Sequence, residues 1–188
     1  MTTIAQRTTA RHLLDDVVTR IGSGSPSLTT LEDLARWLGQ AAVQLGGLDQ
    51  ATRRSRISGA GVVLAEAPGG HVMVVRYFPP AEPTPIHGHS GWGALVLLSG
   101  RGRYETWQPL DDRYARLTRV CELTGGETYA WADPPLDVHR QEGLGRGATE
   151  LTIFKRHPYH TWAPQYAPEP PGATLPGVAA PLGSDGSR

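Results

Sequence analysis

The feature that most constrains the fold is a run of short segments, rich in β-branched and aromatic residues, that begins at Val62 and continues to His157. The segments read VVLA, HVMVVRYF, ALVLLSG, RGRYETW, RLTRVCEL, ETYAW and ELTIFKRH, and clusters such as APGG, PPAEPTP, PLDD, TGG, DPPLD and GLGRG lie between most of them. Such segments favour β-strands, whereas Gly, Pro and Asp favour turns. Many short strands at roughly regular spacing predict a mainly β fold, either a closed antiparallel barrel or a jelly roll.

Two helical patterns precede these strands. Apolar residues recur at helical spacing over residues 13–21 and again over residues 31–45. Thr29 and Glu32 have the spacing of a capping box, in which each side chain accepts a hydrogen bond from an unpaired backbone N–H of the first turn. We therefore expect the second helix to begin there. The sequence GSGSPS at residues 22–27 is the predicted linker between the two helices.

The 188 residues fit a single domain. Within it we predict N-terminal helices over residues 1–50, packed on a barrel that extends over residues 51–160. Residues 161–188 are too rich in proline and glycine to form regular structure, so we predict an irregular strap against the barrel that ends in a frayed tail.

Charge and hydropathy argue against two classes of partner. Lys plus Arg and Asp plus Glu balance at 18 each, so no basic field is available to attract a phosphate backbone, and we expect no nucleic-acid partner. No run of about 18 apolar residues occurs, so we expect no membrane-spanning helix.

Cys121 is the single cysteine, and the first residues lack the apolar stretch of a secretory signal. These features predict a cytoplasmic protein without an internal disulfide.

Three of the seven histidines have a spacing from which a metal site could be assembled. His87 and His89 lie in the sequence PIHGHSGWG. Residues i and i+2 of a strand project to the same face, so both imidazoles would point at one spot, and Gly88 removes bulk between them. His139, in DVHRQEG, lies between a turn and the next strand, and a barrel could bring it alongside. The alternative is a pair of solvated histidines at a strand edge.

The surroundings of these residues resemble the two sequence motifs of the cupin superfamily. His87, His89 and Gly100 match the first motif, which is a histidine pair, an acidic ligand and a later glycine. Pro134 and His139 match the second motif, although its glycine is missing here. The resemblance implies a cupin double-stranded β-helix, that is a jelly-roll barrel, preceded here by two α-helices. It also implies that the three histidines hold one metal ion.

Gly93 stands where the acidic cupin ligand is usually found, and glycine offers no donor atom. Three neutral imidazoles would therefore leave the metal with its full double charge. Such a site keeps several coordination positions open, suits Fe(II), and favours substrates that bring their own anionic donor, such as a thiolate or an enolate, together with O₂. Neutral imidazoles also suit Zn, Ni, Co and Cu, so the sequence predicts Fe(II) without fixing it.

The stretch TPIHGHSGWGALVLLSGRGRYET resembles the metal-binding stretch of the cysteine dioxygenase family of thiol dioxygenases. HRQEG, which begins at His139, is similar to that family's HRxEN, and the family also has helices before its barrel. The resemblance implies an Fe(II)-dependent oxidoreductase that adds O₂ to the sulfur of a small thiol to give a sulfinate. It implies no catalytic residue beyond the metal ligands.

Departures from that family bear on the substrate. Where the family has serine, histidine and tyrosine at alternate positions of the strand after the second motif, this chain has Glu150, Thr152 and Phe154, which argues against cysteine as substrate. The family's carboxylate-binding arginine has no match in register. Arg76 is the candidate replacement, because it shares a strand face with Phe78, which stands at the family's pocket-aromatic position.

Glu150 has a sharper implication if it points inward. A buried carboxylate needs a partner, and a cationic group of the substrate would supply one. Arg76 and Glu150 together would suit a zwitterionic or cationic thiol or thione larger than cysteine, such as ergothioneine. Either residue could instead face solvent, and Trp92 and Tyr104 are candidate pocket walls that could equally belong to the core. The predicted substrate-binding residues are Arg76, Phe78, Trp92, Tyr104, Glu150, Thr152 and Phe154.

Two other functions fit the same residues. The first is a three-histidine cupin dioxygenase that cleaves a carbon–carbon bond of an enolate-type substrate. The second is a non-redox cupin that binds a small molecule or a metal for sensing or scaffolding. O₂ uptake with thiols and with diketones separates the first from a thiol dioxygenase, and stoichiometric binding without O₂ consumption identifies the second.

Overall fold

The helices occupy the first part of the chain in the structure, a computed structural model that describes residues 4–22, 24–45, 48–159 and 164–170. Helix α1 covers Ile4–Ile21, α2 covers Leu28–Ala42, a short 3-10 turn follows at Val43–Leu45, and α3 covers Leu48–Ser58. The first two helices were predicted and the third was not. Only Ala51 and Ser55 of α3 are buried, so its sequence LDQATRRSRIS carries no apolar periodicity.

The start of α2 differs from the capping-box prediction. Ser27 is the N-cap residue, and its side chain accepts a hydrogen bond from the backbone N–H of Thr30 at 3.1 Å. Thr29 consequently lies inside the first turn rather than at its start. Ser27 takes the cap because its backbone is extended, as an N-cap residue requires.

Eight strands follow the helices and form one sheet, which closes into a barrel through the pairing of β4 with β7. The predicted mainly β fold, a barrel preceded by helices, is confirmed. Seven of the neighbouring pairs described are antiparallel and one, β5 with β8, is parallel. The strands are β1 Val62–Glu66, β2 Val72–Phe78, β3 Ile86–His87, β4 Gly93–Pro109, β5 Tyr114–Thr124, β6 Thr128–Trp131, β7 His139–Phe154 and β8 Gln165–Pro168.

The predicted segments ALVLLSG and RGRYETW are one bent strand, β4. Its pairing with β7 shifts register twice, once between Leu97 and Ser99 and again between Gly100 and Arg101. Gly100 has φ of 83°, and a Cβ there would lie 2.0 Å from the carbonyl oxygen of Gly147. The motif glycine is therefore required where the backbone bends and two strands approach closely.

Strand β8 corrects the prediction that the chain has no regular structure after residue 160. Ile86 pairs with Tyr166 and His87 pairs with Gln165, while the other edge of β8 pairs with β5. Local propensity does not predict this strand, because its backbone partners come from distant parts of the chain. Residues 161–163 and the predicted frayed tail lie outside the described residues. The division into helical, barrel and strap segments stays a prediction.

Alternation along the strands separates two faces of the barrel wall. On β2, Met73 and Val75 pack with the helices, whereas Val72 and Val74 point into the barrel. The same alternation directs Arg76 inward.

No helix among the described residues is long and apolar enough to cross a membrane.

Candidate metal centre

The structure brings His87, His89 and His139 together, as the sequence predicted. His87 ends β3 and pairs directly with His139, the first residue of β7, while His89 follows two residues later on the connecting loop. One nitrogen from each ring lies within 4.8 Å of the nitrogens of the other two. The ring centroids are 4.8, 4.9 and 4.9 Å apart, so the three imidazoles form a nearly equilateral triangle.

The hydrogen bonds of His87 and His139 leave one ring nitrogen of each with a free lone pair. Nδ1 of His87 donates to the carbonyl of Pro85 at 2.8 Å, and Nδ1 of His139 donates to the carbonyl of Asp137 at 2.9 Å. Because a carbonyl can only accept, each Nδ1 carries the proton and each Nε2 carries the lone pair.

Two nitrogens of the cluster are buried without a protein partner. Nε2 of His139 and Nδ1 of His89 make no hydrogen bond to any described residue. A buried polar atom left in this state costs about 1–3 kcal/mol. A bound cation would remove that penalty, so the donor set fits a metal ion.

The electrostatics of the cluster favour neutral rings. Burial lowers the pKa of all three histidines, and for His89 burial together with the neighbouring His87 lowers the pKa to about 3. A metal can bind only the neutral form of imidazole. The site therefore presents three ligands that need not lose a proton at neutral pH.

Asp137 joins the two chain segments that carry the histidines, although it belongs to no sequence motif. Its carboxylate accepts the backbone N–H groups of His89 at 2.8 Å and Ser90 at 2.9 Å, while its own carbonyl orients His139. A Cβ at Gly88 would lie 2.9 Å from the same carboxylate. Gly88 is therefore needed for the approach of Asp137, rather than only to make space between the two rings.

Replacing Asp137 with alanine is expected to weaken metal binding by roughly 10- to 100-fold, the usual effect of removing a group that orients metal ligands. The His89–Ser90 backbone loses its acceptor, while all three imidazoles remain. Titration with Co(II) measures the affinity. Asp133→Ala is the matched control, because Asp133 also accepts a backbone N–H, that of Trp92, but orients none of the three rings. Equal loss in both variants would contradict the positioning role.

A small cavity adjoins the histidine cluster. Arg76, Phe78, Glu150, Thr152 and Phe154 all line it, so five of the predicted substrate-binding residues face one space together with His87 and His89. The space open to a water-sized sphere is about 20 Å³, which is room for about one water molecule. Residues that the sequence analysis missed complete the lining: Val74, Gln141, Pro158 and Tyr159.

Trp92 does not line this cavity, which corrects its assignment as a pocket wall. The ring is 1% exposed and packs in the helix-facing core, 5.5 Å from the ring of His71. Tyr104 also lies outside the cavity lining, and its hydroxyl donates to Glu150, which does line it.

Arg76 faces the cavity as an unpaired cation. Its guanidinium lies 4.7 Å from the ring centre of Phe78, and its buried Nε has no hydrogen-bond partner among the described residues. Arg76 lies directly opposite Glu150 in the β2–β7 pairing, yet the structure shows no ion pair within 4.0 Å between them in the described part of the chain. The guanidinium is therefore free to bind an anionic group that enters the cavity.

Glu150 is 2% exposed and has two protein partners. The hydroxyl of Tyr104 donates to one carboxylate oxygen, and the hydroxyl of Thr152 donates to the other at 3.0 Å. Burial raises the pKa of Glu150 to about 7, against the lowering effect of these two bonds and of Arg76. Glu150 does point inward, but the protein itself satisfies it, so it does not require a cationic substrate.

Glu150→Gln is expected to change the pH dependence of stability. The pKa of Glu150 is about 7 in the folded protein, against an ordinary value of 4.5, so the folded state holds its proton longer than the unfolded chain does. The contribution of Glu150 to stability is therefore complete below pH 4.5 and is lost as the pH rises through 7. Relative to the glutamine variant, the wild type should lose roughly 2–3 kcal/mol between pH 4.5 and pH 8. Urea unfolding of both proteins at several pH values measures this difference, and parallel curves would contradict it.

Comparison with known proteins gives the following likenesses. No protein-family model matches the sequence, and no curated protein matches it. Solved structures that match include the DMSP lyase DddQ from Ruegeria pomeroyi, at 17% identity over 55% of this chain and 49% of that chain, with a TM-score of 0.41. A cupin 2 conserved barrel domain protein from Leptotrichia buccalis matches at 20% identity over 50% and 39%, with a TM-score of 0.40.

A third match is an uncharacterized double-stranded β-helix protein from Klebsiella pneumoniae, at 19% identity over 62% of this chain and 91% of that chain, with a TM-score of 0.45. The present chain spans about half of the lyase and less than half of the Leptotrichia protein. From its own topology and side chains, the protein is a closed β-barrel with a three-histidine cluster that can hold a metal ion.

Proposed function

We propose that this protein is an Fe(II)-dependent dioxygenase that adds both atoms of O₂ to the sulfur of a small thiol. The reaction is RSH + O₂ → RSO₂H, so the thiol is oxidised and O₂ is reduced. One observation carries the proposal: three neutral imidazoles form a cluster with no carboxylate among its described members, and an unpaired Arg76 faces the same cavity.

The charge of this donor set favours an anionic substrate. Three neutral ligands leave a divalent cation uncompensated, so a thiolate is a better additional donor than a neutral group. Iron, when bound, supplies the redox chemistry with O₂. The protein's own contribution is then to hold the substrate, orient its sulfur and exclude water.

Arg76 would bind a carboxylate of the substrate. A guanidinium presents a planar fork of donors that matches a carboxylate, and the ring of Phe78 supports it from one side. The cavity has room for about one water molecule, so any thiol must displace lining side chains to enter, and a substrate of few atoms displaces the fewest. Arg76 is the cation in that lining, so we propose a small carboxylate-bearing thiol rather than the larger ergothioneine.

Glu150 favours a second candidate, a dioxygenase that cleaves a carbon–carbon bond of an enolate-type substrate. Such a substrate must first lose a proton, and a carboxylate with a pKa of about 7 is suited to accept one at neutral pH. In that case Tyr104 and Thr152 would hold the Glu150 oxygens in place while the proton is transferred.

Metal analysis and O₂-electrode assays on the same preparation test both candidates. Protein purified without chelators and loaded with Fe(II) is assayed with mercaptoacetate, cysteine, aminoethanethiol and acetylacetone. We expect O₂ uptake with mercaptoacetate, and a sulfinate that gains two ¹⁸O atoms from ¹⁸O₂ by mass spectrometry. Uptake with acetylacetone alone would favour the second candidate. Tightly bound zinc without O₂ uptake would contradict both and favour the non-redox cupin.

A further inference from the structure

The position of the absent fourth ligand is occupied by the indole ring of Trp131. A Cβ built on Gly93 would lie 2.0 Å from Cζ2 of Trp131 and 2.5 Å from both Cε2 and Cη2. No side chain fits at position 93 while the ring stays there. The contacts are with an aromatic ring inside a packed core, which cannot yield as the end of a flexible side chain can.

Strand pairing shows that this space faces the histidines. Gly93 is paired directly with Trp131 on β6 and with Phe154 on β7. Residues directly opposite one another on adjacent strands point to the same face of the sheet. Phe154 lies 4.8 Å from the ring of His89, so a side chain at position 93 would share the face that carries the cluster.

Trp131 contacts two of the three candidate ligands. Its ring centre is 4.7 Å from that of His139 and 5.5 Å from that of His89. The ring is 3% exposed, and its Nε1 donates to the carbonyl of Gly91 at 3.1 Å. The hydrogen bond fixes the ring beside the cluster, and Trp131 also lines a groove together with residues of α2 and β6.

We propose that Trp131 is the residue that limits this metal centre to three protein ligands. Glycine at position 93 and tryptophan at position 131 form one steric pair, in which the ring fills the volume that a carboxylate side chain at position 93 would need. Trp131 is a specificity-determining residue, because it keeps the donor set neutral and so preserves the preference for an anionic substrate. This inference rests on the metal centre proposed above.

From the steric pair of Gly93 and Trp131 we expect that a fourth ligand can be introduced at position 93 only if the indole ring of Trp131 is removed. Gly93→Glu alone should overpack the core and lower the melting temperature by about 5–10 °C. Trp131→Ala alone should keep the three histidines and bind Co(II). The double variant, Gly93→Glu with Trp131→Ala, should fold and bind Co(II) at least about tenfold more tightly than Trp131→Ala alone, a difference of about 1.4 kcal/mol.

Co(II) titration, followed by its visible absorption, measures affinity and coordination without any enzymatic assay. The matched control is Gly93→Gln with Trp131→Ala, which has the same volume at position 93 without the carboxylate. Gly93→Asp with Trp131→Ala is a second, smaller test of the same space. A gain in affinity and a changed Co(II) spectrum in the acidic double variants, absent from the glutamine control, would support the proposal.

Two results would overturn it. The first is a Gly93→Glu single variant that is as stable as the wild type and binds Co(II) as tightly as the double variant. The second is equal Co(II) affinity in the acidic and glutamine double variants while the wild type binds Co(II) normally. A wild type that binds no Co(II) at all would instead refute the metal centre itself, and this inference with it.

Discussion

Replacing His139 with leucine is expected to abolish metal binding while leaving the metal-free protein at least as stable as the wild type. His139 is 1% exposed and its Nε2 has no partner among the described residues, so leucine removes a buried polar atom that costs about 1–3 kcal/mol. The variant also loses the bond to the Asp137 carbonyl, which is worth about 1 kcal/mol, so the two effects oppose each other.

The expected effect of His139→Leu on metal binding is larger than its effect on the stability of the metal-free protein. One of three ligands is lost, so the Co(II) affinity should fall by more than about 100-fold, which exceeds the usual effect of removing a group that only orients a ligand. At a metal concentration about 100 times the dissociation constant, Co(II) should stabilise the wild type by about 2.7 kcal/mol. Thermal unfolding with and without Co(II) should show this increment in the wild type and no more than about 0.4 kcal/mol in His139→Leu.

His71→Leu is the matched control for this experiment. Nδ1 of His71 is also buried without a partner among the described residues, but its ring packs against Trp92 and lies outside the cluster. The control should therefore share any gain in metal-free stability and keep the full response to Co(II). Loss of the response in His71→Leu, or its persistence in His139→Leu, would show that the cluster is not the metal site.

Family resemblance and period-two alternation together predicted the cavity lining. The resemblance indicated Phe78, Glu150, Thr152 and Phe154, alternation placed Arg76 on the same strand face as Phe78, and all five residues line the cavity beside the cluster. Period-two alternation also explains why Trp92 does not line the cavity. Gly93 faces the barrel interior, so its neighbour must face the helices, as the packing of Trp92 shows.

The residues that sequence reasoning missed depend on contacts between distant segments. Asp137 has no motif of its own and acts because the barrel brings its carboxylate to the backbone of His89. Trp131 belongs to a strand predicted correctly, but only the pairing of β6 with β4 reveals that its ring fills the space at Gly93. Helix α3 and strand β8 were missed for the same reason, because tertiary packing rather than local pattern stabilises them.

Replacing Arg76 with methionine is expected to reduce kcat/KM for a carboxylate-bearing thiol by roughly 30- to 150-fold, mainly through KM. A buried charge pair with hydrogen bonds loses about 2–3 kcal/mol or more when one partner is truncated, and methionine keeps most of the apolar stem while it removes the charge. In the free protein the guanidinium has no ion-pair partner within the described residues. The stability of the metal-free variant should therefore change little.

Assaying Arg76→Met with two substrates separates the loss of the Arg76 charge from other effects of the substitution. Mercaptoacetate carries the carboxylate that Arg76 would bind, and aminoethanethiol replaces it with an amine, so only the first should lose kcat/KM in Arg76→Met. Arg76→Lys should restore part of the loss, because it keeps the charge but not the planar fork of donors. An equal loss with both thiols would place Arg76 in the packing of the cavity wall against Phe78 instead. An unchanged KM for mercaptoacetate would contradict this role of Arg76. Glu150 could not replace it, because Glu150 is the other charged residue that lines the cavity in the described part of the chain and its carboxylate would not attract that of the substrate.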